Sequence, residues 1–329
     1  MSDANSKLPN LNTKTEEFIS MLEQRDNAPL YTLSPDGARD FLDSLQIETH
    51  KEIDADVADI NVPAQDTQDI EVRVVRPKNS TEKLPVILYI HGGGWVMGGK
   101  ESFDMLIRKL AVCTDSAVFF PEYSLSPEAQ YPQALNEISR VLEYIYNNAK
   151  ELNIDNTKIA IAGDSAGGNM ATVTALAVKK ALQKQKENKP DIIFECLFYP
   201  VTNADMDTKS YDSFKDGPWL SKKAMEWFFE AYVPEKKLRD DATVSPLKAS
   251  EEELALLPPT LIITDENDVL RDEGEAYARK LDSAGVDVLN VRINGTIHDF
   301  VMLNALSDTF AAKGALDLAC KMLKDALHE

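Results

Sequence analysis

The spacing of apolar and polar positions along this chain is helical first, then alternating, then unbroken. Near the start, Phe18, Met21 and Leu22 fall on one stripe. Phe41, Leu42 and Leu45 fall on another, in a helix that opens at Ser34-Pro35, a capping serine followed by a first-turn proline. The period then drops to two: Ile70, Val72 and Val74 alternate with polar neighbours and predict a half-exposed strand, antiparallel to one near Val57 to Val62. From Leu84 onward the strands are continuous apolar runs, Leu84 to Ile90, Ile159 to Ala162 and Thr260 to Thr264. Helical stretches lie between them, over 102–114, 133–149 and Asn169 to Lys180. A helix from Glu275 to Ala284, an alternating strand through Val286, Val288, Val291 and Ile293, and a helix over 305–326 complete the pattern. Strands apolar on both faces are covered by helices on both faces, so the pattern predicts an α/β fold with a mostly parallel central sheet. Segment 201–245 breaks the alternation with Asp- and Lys-rich loops around a helix bearing Trp219, Met225, Trp227, Phe228 and Phe229. Aromatic residues at helical spacing predict core packing, so these five are not candidate site residues.

One junction in this pattern carries chemistry. Gly163-Asp164-Ser165-Ala166-Gly167 lies between the run Ile159 to Ala162 and the helix with Met170, Val173, Leu176 and Ala177 on one stripe. A strand that turns straight into a helix leaves no room for Cβ atoms two residues either side of the bend, and it presents the serine hydroxyl at the end of the sheet. A serine hydroxyl is a poor nucleophile without a base, and the base needs an orienting acid. Of the four histidines, His50 and His328 read as solvated surface residues and His91 opens a glycine run. His298 follows the alternating strand, at the end where an α/β sheet keeps its reactive groups. The acid is less sharply defined, because Asp265, Glu266, Asp268, Asp272 and Glu273 all follow the strand Thr260 to Thr264. Asp272 and Glu273 suit the first turn of the next helix, which leaves Asp268 preferred and most of the others solvated or capping. His91-Gly92-Gly93-Gly94-Trp95 follows the run Leu84 to Ile90 and leaves backbone N–H groups uncovered. Those of the three glycines, with that of Ala166, suit a developing oxyanion. A phosphate loop does not fit, because no Gly-Lys-Ser/Thr ending and no GxGxxG spacing is present.

Composition narrows the partners. The 329 residues carry 35 basic and 55 acidic side chains, a formal charge of −20, whose field repels nucleic acid and anionic membrane surfaces and favours a neutral or cationic small molecule. Cys113, Cys196 and Cys320 are an odd, scattered set in which no disulfide framework or metal motif is readable. Met1 to Lys14 is polar and no run approaches the roughly twenty apolar residues of a membrane span, so the expected location is cytoplasmic. Assembly state stays open, a homodimer included.

Read together, HGGGW at 91–95, EYSLSPEAQYP at 122–132, GDSAGG at 163–168, SPL at 245–247, LPPTLIIT at 257–264, DVLRDEG at 268–274 and HDF at 298–300 resemble the hormone-sensitive-lipase-like esterases. These are a branch of the α/β-hydrolases, and the likeness is to the subgroup with Asp before the nucleophile. The resemblance runs from about Leu84 to the C-terminus. It implies an α/β-hydrolase fold with a helical cap, Ser165, Asp268 and His298 as a catalytic triad, and Gly93, Gly94 and Ala166 as the oxyanion hole. His91 would orient the glycine loop. The implied activity is hydrolysis of short- to medium-chain carboxylic esters through an acyl-enzyme, with a small-molecule ester substrate and no metal or cofactor. An amidase or deacetylase of the same fold, or a non-catalytic small-molecule receptor, are the alternatives. The implied division is 1–50 as helices of the cap, 51–200 and 246–329 as the catalytic domain, and 201–245 as the cap insertion. Three positions depart from the family pattern: Val269 stands where proline is usual, Asp299 where glycine is usual, and Ser124 where arginine is common. Asp299 puts a carboxylate beside the general base and is expected to raise its pKa.

Overall fold

Asn12 and Ser34 start the first two helices, α1 (Thr13–Gln24) and α2 (Pro35–Glu48), each side chain accepting from the amide three residues on. The computed structural model describes residues 10–25, 28–64, 68–184 and 189–329, so positions 1–9 of the polar N-terminal stretch lie outside the described residues. β1 (Ala55–Val62) and β2 (Ile70–Pro77) pair antiparallel with Ile60 opposite Val72, as the alternation predicts.

The chain then enters β3 (Leu84–Ile90), α3 (Asp104–Thr114), β4 (Ala117–Pro121), α4 (Gln133–Asn147), β5 (Ile154–Asp164), α5 (Ala166–Lys184) and β6 (Phe194–Phe198). Two short helices and a longer one follow: α6 (Lys209–Ser213), α7 (Lys222–Tyr232) and α8 (Glu251–Leu254). The chain closes with β7 (Thr260–Asn267), α9 (Arg271–Ser283), β8 (Val288–Ile297) and α10 (Phe310–His328). The eight strands form one sheet in the order β1-β2-β4-β3-β5-β6-β7-β8, antiparallel where β2 meets its neighbours and parallel from β4 to β8. β3, β4 and β6 are buried along their whole length, whereas β8 at the edge mixes half-buried and exposed positions before its last three residues, which are buried. Continuous apolar runs are therefore the central strands, as expected of a sheet with helices on both faces.

Element ends moved where caps decide them. Thr309 accepts from Ala312 N–H and delays the last helix to Phe310, and α9 begins at Arg271 with Asp272 and Glu273 inside its first turn. Trp219 precedes α7 instead of lying on it.

One expectation is corrected. Cys113 on α3 and Cys320 on α10 form a disulfide, their Cα atoms 5.8 Å apart and 207 residues apart in sequence. No local spacing could announce it, because the pairing exists only once these two helices pack side by side. Cys196 is the free, buried cysteine. Replacing Cys320 by Ser is expected to lower stability by about 2–4 kcal/mol. Denaturant unfolding without reductant checks this, and a reductant should bring the wild type to the same midpoint.

Candidate active site

β5 passes into α5 with a single residue between them, and that residue is Ser165. Its φ is +52°, a left-handed conformation that a side-chain-bearing residue holds only under constraint. The constraint is visible: Ser165 N–H donates to Phe198 O at 2.9 Å, while Ser165 O accepts from Asn169 and Val201 N–H, both at 3.1 Å. Helix and β3 meet so closely that a Cβ on Gly167 would lie 2.0 Å from Ile90 O. The bend thus pins the serine between three strands.

His298 Nε2 lies 2.8 Å from Ser165 Oγ, and His298 Nδ1 lies 2.8 Å from Asp268 Oδ2. Nδ1–H donates to the carboxylate, which leaves Nε2 to accept from the serine hydroxyl. Asp268 is itself fixed by Leu270 N–H at 3.0 Å, a local turn made without the proline usual at 269. All three residues are at most 4% exposed. A register shift brings His298 here: Asp265 pairs with Ile293 but Asn267 pairs with Ile297. The extra residues of β8 are held out by Asn267, which donates to Thr296 O at 3.0 Å, and by Glu266, which accepts from Gly295 N–H at 2.7 Å.

Ser165 faces the glycine loop across the cavity. Asp164 Oδ1 accepts from Gly92 N–H at 3.0 Å and from Tyr89 O–H at 2.8 Å, so the residue before the serine anchors the loop. Burial carries the Asp164 carboxyl up to about 8, with the Asp299 charge adding to it and the two donors opposing. Gly94 has no room for a side chain, since its Cβ would meet the Phe228 ring at 2.2 Å. His91 is stacked between Phe120 and Tyr123, its Nδ1 donating to Gly92 O at 2.8 Å. Burial lowers its pKa to about 4, which keeps it a neutral prop. Ala166 is fully buried at the start of α5. Ser124 donates through N–H and Oγ to the two oxygens of Glu137, each at 2.7 Å, where an arginine would otherwise make an ion pair. His50 and His328 are both exposed, as expected of surface residues; His50 pairs with Asp104, His328 donates to Thr114 O, and neither joins the site.

The surplus carboxylates depart in part from the expectation that most are solvated or capping, since Asp265 and Glu273 are buried. Asp272 pairs with Arg271 and accepts from Ser210 N–H. Glu273 is buried and accepts from Thr202 and Asn203 N–H at 2.7 and 3.1 Å, which fixes the loop after β6. Asp265 is wholly buried beside Asp268. Asp265, Asp268 and His298 offer three ligand atoms within 4.8 Å of one another, yet a cation there would have to break the Nδ1–Asp268 hydrogen bond.

Trp219 and Phe228 correct the reading of the aromatic segment as core alone, because both line the cavity above Ser165. That cavity, about 1520 Å³, is walled by α1, α2 and segment 212–220. The Trp219 ring packs near Phe18 of α1 and Phe41 of α2, and its Nε1–H donates to Asp299 Oδ2 at 2.8 Å. Asp299 Oδ1 lies 3.5 Å from His298 Nε2. Burial would depress the imidazole pKa, but Asp268 first and Asp299 second outweigh it and carry it up to about 9. Spacing points to Asp299 beside the histidine and to Asp265 among the acids after β7, whereas Asp164 and Trp219 reach the site through tertiary contacts.

Residues 87–302 match the model of a family described by its α/β-hydrolase fold. A thermostable esterase from Pseudomonas putida ECU1011 superposes with a TM-score of 0.93 at 41% identity, covering 98% of this chain and 99% of that one. The carboxylesterase NlhH of Mycobacterium tuberculosis is 36% identical over 79% of each chain. An ethyl acetate hydrolase of Pseudomonas putida is 31% identical over 90% of this chain and 93% of its own. The chain belongs to the α/β-hydrolases, in their hormone-sensitive-lipase-like esterase group, and is a carboxylic ester hydrolase.

If Asp164 holds the glycine loop as a neutral carboxyl, Asp164→Ala should lower kcat for ester hydrolysis by about a hundredfold, in the range of losing one oxyanion donor. Asp164→Asn keeps an uncharged acceptor and should retain most of the rate. Steady-state kinetics on the two variants checks the contrast.

Proposed function

We propose that this esterase works by two-step acyl transfer with Ser165 as nucleophile, His298 as general base and Asp268 as the orienting acid. The observation that carries the reading is the unbroken chain of two 2.8 Å hydrogen bonds from Ser165 Oγ through the imidazole to Asp268. Ser165 attacks the ester carbonyl as Nε2 takes its proton, and the oxyanion rests on the amides of Gly93, Gly94 and Ala166. Protonated His298 then gives its proton to the departing alkoxide. Water, deprotonated by the same imidazole, releases the acid and restores the serine.

The substrate proposed is an ester of short to medium acyl length, neutral or cationic. Supporting this, the related ethyl acetate hydrolase takes a short ester by its name. The cavity wall carries Glu16, Glu23, Asp212, Asp216, Glu266 and Asp299 against Lys215 and Arg271, a field that disfavours anionic esters. The domain division is likewise a proposal, with 1–50 and 201–245 as the cap over 51–200 and 246–329; residues of both proposed cap segments line the cavity. No described helix is long and apolar enough to cross a membrane. A cytoplasmic location completes the proposal.

A panel of p-nitrophenyl esters and anilides of rising chain length tests the reaction. Esters up to medium length should be hydrolysed by the wild type, and Ser165→Ala should lose about 10⁴-fold or more. Activity surviving in that variant would refute the nucleophile, and a preference for anilides would make the enzyme an amidase. The pH profile tests the base. Only neutral imidazole accepts the serine proton, so kcat/KM should rise through the His298 pKa, which lies above its ordinary value. Asp299 has φ +68°, a conformation glycine adopts without strain. Asp299→Gly removes a charge that favours imidazolium, and it should move the acidic limb down by about one pH unit. A limb that stays in place would show that Asp299 does not act on the base.

A further inference from the structure

Asp265 is a buried group that the mechanism leaves unused. It ends the apolar part of β7, is 0% exposed, and neither of its carboxyl oxygens has a hydrogen-bond donor among the described residues. A charged carboxylate in that position would be uncompensated, and an apolar side chain would fill the same space without penalty. Its surroundings explain what keeps it there. Asp265 Oδ2 lies 4.0 Å from His298 Nδ1, the atom that Asp268 Oδ2 meets at 2.8 Å, and the two carboxyls and the nitrogen fall within 4.8 Å of one another. Two carboxylates that close, both out of water, do not ionise together.

We propose that Asp265 is a second acid beneath His298: it shares one proton with Asp268, and either carboxyl can be the one ionised toward Nδ1. The pair carries one negative charge. With the proton on Asp265, its O–H points toward Asp268 and Asp268 accepts from Nδ1–H. With the proton on Asp268, or with Asp268 replaced by a neutral residue, Asp265 becomes the carboxylate, and closing the 4.0 Å gap by about 1 Å restores a hydrogen bond to Nδ1. Asp265 does not touch substrate and acts through His298, so it is a positioning residue. The other groups facing it are Asp299 after β8 and Tyr199 after β6. Neither replaces the missing donor: Asp299 accepts from Trp219, and the Tyr199 ring sits against the opposite partner, His298, at 4.8 Å.

This inference rests on the proposed roles of Ser165 and His298, and the experiment separates the two by comparing variants that all keep both residues. Asp268→Asn alone should lose about 10–100-fold in kcat, and Asp265→Asn/Asp268→Asn should lose about 10⁴-fold, the loss typical of a triad with no acid. KM should stay near the wild-type value throughout. Asp265→Ala leaves Asp268 more basic and should move the acidic limb to higher pH. Circular dichroism and thermal unfolding verify that each variant is folded; should the double asparagine variant not fold, Asp265→Ser/Asp268→Asn takes its place. Equal residual rates for Asp268→Asn and the double variant would overturn the proposal, as would an Asp265→Ala limb that does not move. If Ser165→Ala itself stays active, the triad reading falls first and independently.

Discussion

Everything at this site hangs on the contact between the start of α5 and the end of β3. Gly167 comes within backbone contact of Ile90 O, and only because it lacks a side chain can β5 turn into α5 across one residue. That turn forces Ser165 to positive φ and sets its carbonyl and amide against the loop after β6. It also puts Asp164 under the glycine loop, so the bend that aims the hydroxyl also places the amides opposite it. Ser165 and the glycine-loop amides therefore share one support, and a shift in the packing of α5 on the sheet displaces both together.

Around that frame the dominant force is electrostatic crowding. One imidazole stands among Asp268, Asp299, Asp265 and Asp164, all substantially removed from water. Such a group cannot hold four full charges, and protonation relieves it where donors are fewest. Asp268 has Nδ1–H and Leu270 N–H as donors, whereas Asp265 has none among the described residues and is driven upward by burial and by Asp268. The division of labour among these acids follows from where backbone N–H groups point, and so from the loop after β7.

The sheet was legible because its strands announce themselves: a run such as Leu84 to Ile90, apolar on both faces, has no place except between layers of helices. Ser165, His298 and Asp268, named from chain order and flanking elements, come together within hydrogen-bonding distance. What stayed hidden depends on contacts between distant segments. Cys113 and Cys320 meet through two helices at opposite ends of the sequence. Trp219 reads as another aromatic in an apolar stripe until α1 and α2 fold beside it and leave its N–H facing the cavity. Asp265 and Glu273 look like members of a solvated acidic run because burial is not written in a five-carboxylate stretch. Helix ends were off by a few residues where a side-chain cap such as Thr309 decided the boundary.

The hydrogen bond from Trp219 to Asp299 ties the wall of the cavity to the loop that carries His298. While the indole is in place, Asp299 divides its charge between Trp219 and the imidazole 3.5 Å away. A substrate that pushes segment 212–220 outward withdraws that donor and leaves the carboxylate to His298 alone. The wall of the cavity and the charge that His298 feels from Asp299 are therefore coupled through a single indole hydrogen bond.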